Sequence, residues 1–257
     1  MRRFTVEFTG KVVIVTGAAN GIGRASAIQF ARLGASLVLA DVDEKGLQET
    51  LEVIGDNAIV VHTNVADEAA CKAMVHTAVD TFGRVDVLFS NAGICGVRGR
   101  TAEVSVAEWR RVIDINLNGV FFCARAAIPA MLDNGGGVII NTASVDGLVG
   151  MATLPHYTAA KHGVIGLTKA CALEHGRQNI RSVAIAPGYI RTAMTENNLS
   201  KNEQAMLETM VPAGGRAGTP EDVANLVTWL ASDKAAYING SCHTVDGGLT
   251  AGFALPD

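Results

Sequence analysis

The chain sets a tyrosine and a lysine four positions apart in HYTAAKHG, His156 to Gly163. At 3.6 residues per turn, Tyr157 and Lys161 share one face of a helix, one turn apart. A free phenol, with a pKa of about 10, exchanges protons poorly near neutrality unless a neighbouring positive charge favours the phenolate. A lysine one turn away supplies such a charge, so the pair is capable of acid–base chemistry. Taken alone, it fits an ordinary helix with a half-buried tyrosine and a solvated lysine more readily. The surroundings must decide.

A second group lies in TGAANGIG, Thr16 to Gly23. Glycines at 17, 21 and 23 remove side chains where a backbone must turn and approach a phosphate, and a helix starting there offers free N–H groups and a positive dipole end. Gly17, Asn20, Gly21, Ile22 and Gly23 are therefore read as a nucleotide-binding turn, although its spacing departs from the common G-x-G-x-x-G. Asp41 ends the next apolar run, placed to accept hydrogen bonds from an adenosine ribose. Val42 follows where a phosphate-binding arginine could have stood, and Asn20 brings no positive charge, so NAD is expected over NADP. Asp41 alone is also a turn or capping aspartate. Asn64 and Val65 are placed to flank the adenine. Asn91-Ala92-Gly93 would pass close to the cofactor, and it is equally a plain turn.

These residues need elements to hold them. Apolar, β-branched runs at 11–17, 35–41, 58–64, 85–93, 137–144, 180–188 and 241–248 read as strands buried on both faces. Helices are expected near 21–34, 44–54, 67–83, 105–133, 156–177 and 220–232. Asp67 caps one of them and Gly83 ends it, while Thr219-Pro220-Glu221-Asp222 opens another. The alternation predicts an α/β fold: a doubly wound, seven-stranded parallel sheet with helices on both faces, in a single domain over 1–257. The segment 193–217 interrupts this rhythm. Leu199, Met206, Leu207 and Met210 could share one face of a short helix there, and Gly214-Gly215 permit bending, so it is either a substrate lid or a surface helix that merely packs.

Composition narrows the class. Of 257 residues, 49% are hydrophobic and 18% charged, which fits a compact globule and excludes a disordered chain. Twenty-one Lys and Arg against twenty-five Asp and Glu, with no long basic run, make nucleic acid an unsuitable partner. No signal peptide and no stretch approaching a spanning helix is expected, so the reading is cytoplasmic, with no membrane partner. Five cysteines without C-x-x-C are read as reduced core residues, and six histidines without ligand spacing argue for no catalytic metal.

Thr16-Gly17-x-x-x-Gly21-x-Gly23, Asn91-Ala92-Gly93, Asn116, Ser144, Tyr157-x-x-x-Lys161 and Pro187-Gly188, in this order along the chain, resemble the short-chain dehydrogenase/reductase family. The resemblance implies a Rossmann fold and a homotetramer. It gives Asn116, Ser144, Tyr157 and Lys161 catalytic roles. Tyr157 would be the acid/base, and Lys161 would lower its pKa and hold the nicotinamide ribose. Ser144 would bind the reacting oxygen, and Asn116 would anchor a proton-relaying water. Asn116 is otherwise an asparagine satisfying helix backbone. Pro187, Gly188, Ile190 and Thr192 would lie along the nicotinamide. Two positions depart from the commonest pattern: Ser90 stands where Asn is frequent, and Asn64 where Asp is.

The expected activity is NAD-dependent interconversion of a hydrophobic secondary alcohol and its ketone. Ile94, Cys95, Val145, Asp146, Leu148, Leu154, Tyr189, Met194, Leu199 and Met206 should face that substrate. Asp146, the charged exception, either holds a polar substituent or caps a turn. The alternatives are a ketoreductase resembling 3-oxoacyl-acyl-carrier-protein reductase, a dinucleotide-binding regulator without turnover, and an epimerase or dehydratase on the same fold.

Overall fold

The computed structural model describes residues 7–252. Seven strands form one parallel sheet in the order β3-β2-β1-β4-β5-β6-β7. They are β1 (Val12–Thr16), β2 (Ser36–Asp41), β3 (Ala58–His62), β4 (Val87–Ser90), β5 (Gly137–Thr142), β6 (Ile180–Pro187) and β7 (Cys242–Val245). Each lies within its predicted run. The helices are α1 (Gly21–Arg32), α2 (Glu44–Ile54), α3 (Glu68–Phe82), α4 (Val106–Ile113), α5 (Gly119–Asp133), α6 (Pro155–His175), α7 (Ala193–Asn198), α8 (Lys201–Met210) and α9 (Pro220–Ala231).

Alternation along the strands divides the core into two layers. Val13, Val15, Leu37 and Leu39 point to one face, where α1, α2 and α9 contribute Ala27, Phe30, Leu47, Val223 and Val227. Ile14, Val38 and Ala40 point to the other, against Cys71 and Met74 of α3 and Cys123, Ala127 and Met131 of α5. With both faces covered, the central strands are apolar through their middles, as in Val12–Val15, Leu37–Ala40 and Val87–Phe89.

The predicted helix over 105–133 is continuous but not uniform. Asp114–Asn118 forms a π turn between α4 and α5. A π turn widens the helix by one residue and is common where a site intrudes on it. The same run, Val106–Asp133, is long and apolar enough to cross a membrane by length and composition, contrary to the sequence expectation. It packs on the sheet and on α3 instead, with Val112, Val120, Cys123, Ala127 and Met131 fully enclosed. The cysteine reading needs a second correction. Cys71, Cys123 and Cys171 are buried, whereas Cys95 and Cys242 are only half-buried.

β1 and β4 are neighbours although β2 and β3 intervene in sequence. Their C-terminal ends therefore open a crevice where the strand order reverses, the place at which doubly wound sheets bind ligands.

Candidate active site

Thr16, the last residue of β1, organises this crevice. Its Oγ1 accepts hydrogen bonds from the main-chain N–H groups of Asn91 (2.9 Å) and Ala92 (3.1 Å). The Asn91 side chain returns the contact, donating from Nδ2 to the Thr16 carbonyl at 3.1 Å. Asn91 is thus a staple between β4 and the glycine turn, a role that its place in an Asn-Ala-Gly turn did not reveal.

The glycine turn leaves no room for side chains. Gly17 and Gly21 have φ of 69° and 53°, in the left-handed region that favours glycine. A Cβ at Gly17 would lie 2.8 Å from Asn91 Nδ2, and one at Gly23 would run into the Gly17 carbonyl. Asn20 caps α1 without a side-chain hydrogen bond, so the first N–H groups of the helix have no side-chain acceptor. Asp41 is folded onto the turn: Oδ2 accepts from Ala19 N at 3.0 Å and Oδ1 from Val42 N at 2.7 Å. Arg24, the cation of this region, is bound elsewhere, to the Ala19 and Gly46 carbonyls and to Glu49.

A cavity of about 430 Å³ runs along this crevice. It is lined by Gly17, Asn20, Gly21, Ile22, Asp41, Val42, Asn64, Val65, Asn91, Ala92, Gly93, Ser144, Tyr157, Lys161, Pro187, Gly188, Ile190 and Thr192. Of the residues expected to bind a dinucleotide, only Gly23 is absent from the wall; it acts by letting α1 pack against Gly17. Asp43, Thr63, Ile94, Ile115, Thr142, Ala143, Met194 and Thr195 also line the cavity. Thr195 was invisible in the sequence because its place depends on a cap: it completes a capping box with Thr192 and donates to the Ile190 carbonyl at 2.8 Å.

A second cavity of about 350 Å³ adjoins the first, and Ser144, Tyr157, Gly188, Met194 and Thr195 line both. Its other walls include Cys95, Val145, Asp146, Leu154, Tyr189, Leu199 and Met206, as expected, with Leu207, Met151 and Leu249 in addition. Ile94 faces the first cavity instead, and Leu148, pointing to solvent, lines neither. Leu199, Met206 and Leu207 bring α8 to this cavity, but Met210 is not part of its wall. Arg98 and Glu203 close the rim with an ion pair between the loop after β4 and α8.

The four residues singled out for chemistry come together, with two corrections. Lys161 is buried and donates from Nζ to the Thr142 carbonyl at 2.7 Å, its ammonium 5.5 Å from the Tyr157 ring centroid. It does not lower the tyrosine pKa here. Burial pushes the Tyr157 phenol well above its ordinary value, Asp146 adds to this, and the Ser144 hydroxyl only partly opposes it. Burial brings Lys161 down to about 8, against a pull upward from Asp146. The second correction concerns Asn116 in the π turn. Its side chain is committed to the loop after β4, with Nδ2 donating to the Ile94 carbonyl (2.7 Å) and Oδ1 accepting from Ile94 N (2.8 Å).

A glycine cradle at a helix start, a carboxylate at the end of β2, and a tyrosine–lysine–serine group between two cavities define a dinucleotide-dependent oxidoreductase site. The chain belongs to the short-chain dehydrogenase/reductase family and is an enzyme acting on CH–OH groups with a nicotinamide dinucleotide. Residues 17–250 match the family described as enoyl-(acyl carrier protein) reductase. The chain is 43% identical over 248 residues to a cyclohexanol dehydrogenase of Acinetobacter sp. (strain SE19), covering 95% of this chain and 97% of that one. It is 39% identical over 252 residues to a meso-2,3-butanediol dehydrogenase of Serratia marcescens, covering 98% and 99%. A levodione reductase of Leifsonia aquatica is 38% identical over 260 residues, covering 97% of each chain. The crystal structure of a levodione reductase superposes with a TM-score of 0.94 at 38% identity, covering 96% of this chain and all of that one.

Proposed function

We propose that this protein interconverts a hydrophobic secondary alcohol and its ketone with NAD, using Tyr157 as acid/base. The observation that carries the reading is that Tyr157 and Ser144 stand in the wall shared by the two cavities. One cavity has the glycine cradle and carboxylate that fit a dinucleotide; the other is mainly apolar. When bound, the nicotinamide supplies a hydride acceptor or donor.

The chain's own residues do the rest. The uncapped start of α1 would take the pyrophosphate, and Asp41 would exchange its local N–H partners for ribose hydroxyls. Asn64 and Val65 flank the adenine end. Pro187, Gly188, Ile190 and Thr192 hold the nicotinamide end, beside Asn91, Ala92 and Gly93. Ser144 Oγ would donate to the substrate oxygen, and Tyr157 Oη would exchange the hydroxyl proton. A neutral phenol suits proton donation to a ketone. Alcohol oxidation needs the phenolate, and Lys161 favours it once its ammonium turns from the Thr142 carbonyl toward the site. With the Asn116 side chain engaged, any part of Asn116 in a proton relay falls to its own main-chain carbonyl in the π turn.

NAD is favoured over NADP because Asp41 would repel a 2′-phosphate, Val42 offers it nothing, and Arg24 is occupied. We read the described residues 7–252 as one domain, the ends of the expected 1–257 lying outside the described residues, in which α7 and α8, within 193–217, act as a lid over the second cavity. A reductase of carrier-bound acyl thioesters has less support, since Arg98 at the rim is paired with Glu203. A regulator without turnover would have no use for the tyrosine–lysine–serine group.

The test is reduced-nicotinamide formation over cyclic, aliphatic and diol secondary alcohols, with NAD and NADP in parallel. Tyr157→Phe should lower kcat by at least about 10²-fold while dinucleotide affinity persists; wild-type turnover by this variant would refute the mechanism. In the same assay, Asp41→Ala combined with Val42→Arg should move preference toward NADP.

A further inference from the structure

Three charged residues interrupt the apolar wall of the second cavity: Arg98, Asp146 and Glu203. Arg98 and Glu203 neutralise each other at the rim. Asp146 lies deeper, only 8% exposed, and its Oδ1 is enclosed with no hydrogen-bond partner. Lys161 and His162 act on the carboxylate through space, but no donor reaches that atom.

A turn-capping role does not explain the residue. Capping aspartates in this fold accept main-chain N–H groups, as Asp43 does from Gly46 and Asp67 from Ala69. In the short helical turn Val145–Gly147, the N–H groups go elsewhere: Asp146 N donates to Ser144 Oγ at 3.1 Å and Gly147 N to the Ser144 carbonyl at 2.9 Å. The turn is complete without the carboxylate. A buried acceptor lacking a donor disfavours the fold, yet this one stands two residues from the serine that would hold the reacting oxygen. Resting on the reading of the site given above, we propose that Asp146 is a specificity-determining residue that accepts a hydrogen bond from a second hydroxyl of the substrate. The alcohol is then a diol, and the ketone a hydroxyketone, with the second hydroxyl on a carbon next to the reacting one or next but one. The buried ammonium of Lys161 weighs against a cationic substituent in that place.

The experiment compares kcat/KM for cyclohexanol with that for the cis and trans forms of cyclohexane-1,2-diol and cyclohexane-1,3-diol, in wild type, Asp146→Asn and Asp146→Leu. Sites built to bind a hydroxyl discriminate strongly against analogues lacking it. The wild type should favour at least one diol by about 10²-fold or more. Asp146→Leu should bring that ratio to within a few-fold of one, mainly through the KM of the diol, and Asp146→Asn, which keeps an acceptor, should restore part of it. A wild-type ratio near one, or equal losses on cyclohexanol and diol, would overturn the proposal. Should no alcohol turn over, the dehydrogenase reading fails separately. Calorimetry on the NAD-saturated enzyme still decides the role of Asp146: tighter binding of a diol than of cyclohexanol, lost in Asp146→Leu, supports it, and equal binding refutes it.

Discussion

Burial pushes the Asp146 carboxyl from an ordinary 3.8 up to about 6, with Lys161 and His162 pulling weakly the other way. Below pH 3.8 the group is neutral in folded and unfolded chains alike. Between the two values the folded chain keeps a proton that the unfolded chain has released, so stability falls as pH rises through this window, and the full cost is present above 6. Asp146→Asn should therefore stabilise the protein near pH 7.5, by about 1–3 kcal/mol, and hardly at all near pH 4. Thermal melts at both pH values check this, and an equal gain at both would show that ionisation is not the cause. The sequence singled out Asp146 but left two roles open, because only the folded chain shows its turn's N–H groups going to Ser144. The same limit applies to Lys161. Spacing placed it one turn from Tyr157, while the bond that orients its ammonium comes from Thr142 on β5, a partner that helical arithmetic cannot supply.

At the scale of elements, the strands were legible because burial on both faces leaves continuous β-branched runs, and two of the helices because Asp67 and Thr219 cap them with their own side chains. The π turn at Asp114–Asn118 was not legible, since DINLN carries no pattern distinguishing it from ordinary helix. Nor was the junction of β1 with β4, which hangs on Thr16. Replacing it with valine keeps the shape and removes the acceptor of two main-chain N–H groups, Asn91 and Ala92. Thr16→Val should cost about 1–3 kcal/mol, or a fall of several degrees in Tm, and Thr16→Ser should recover most of it. A valine variant melting with the wild type would mean that the two N–H groups find other acceptors.

For the whole molecule, the doubly wound parallel sheet followed from strand–helix alternation and right-handed crossovers, while its strand order, seen only in the fold, gathers most of the candidate site at the C-terminal ends of the strands. Association was anticipated from the family resemblance. Val106, Trp109 and Phe121 on α4 and α5, Leu173 on α6, Trp229 on α9 and Tyr237 beyond it are exposed, with Leu173 at 85%. Exposed apolar residues on several helices suit burial against other copies of the chain, and the family resemblance makes a homotetramer the expected assembly. Light scattering at micromolar concentration should give four times the chain mass. Leu173→Glu with Phe121→Glu should reduce it, and a monomeric wild type would refute the assembly.

The wall common to the two cavities also governs how the enzyme can be re-engineered. On the proposed reading, Leu154, Met206, Leu207 and Leu249 meet only the alcohol, whereas Met194 and Thr195 meet alcohol and dinucleotide together. A mutant library confined to the first four positions would vary substrate choice at constant coenzyme affinity. One that includes the other two would trade one against the other, and a screen at a single coenzyme concentration would mistake weakened coenzyme binding for altered selectivity.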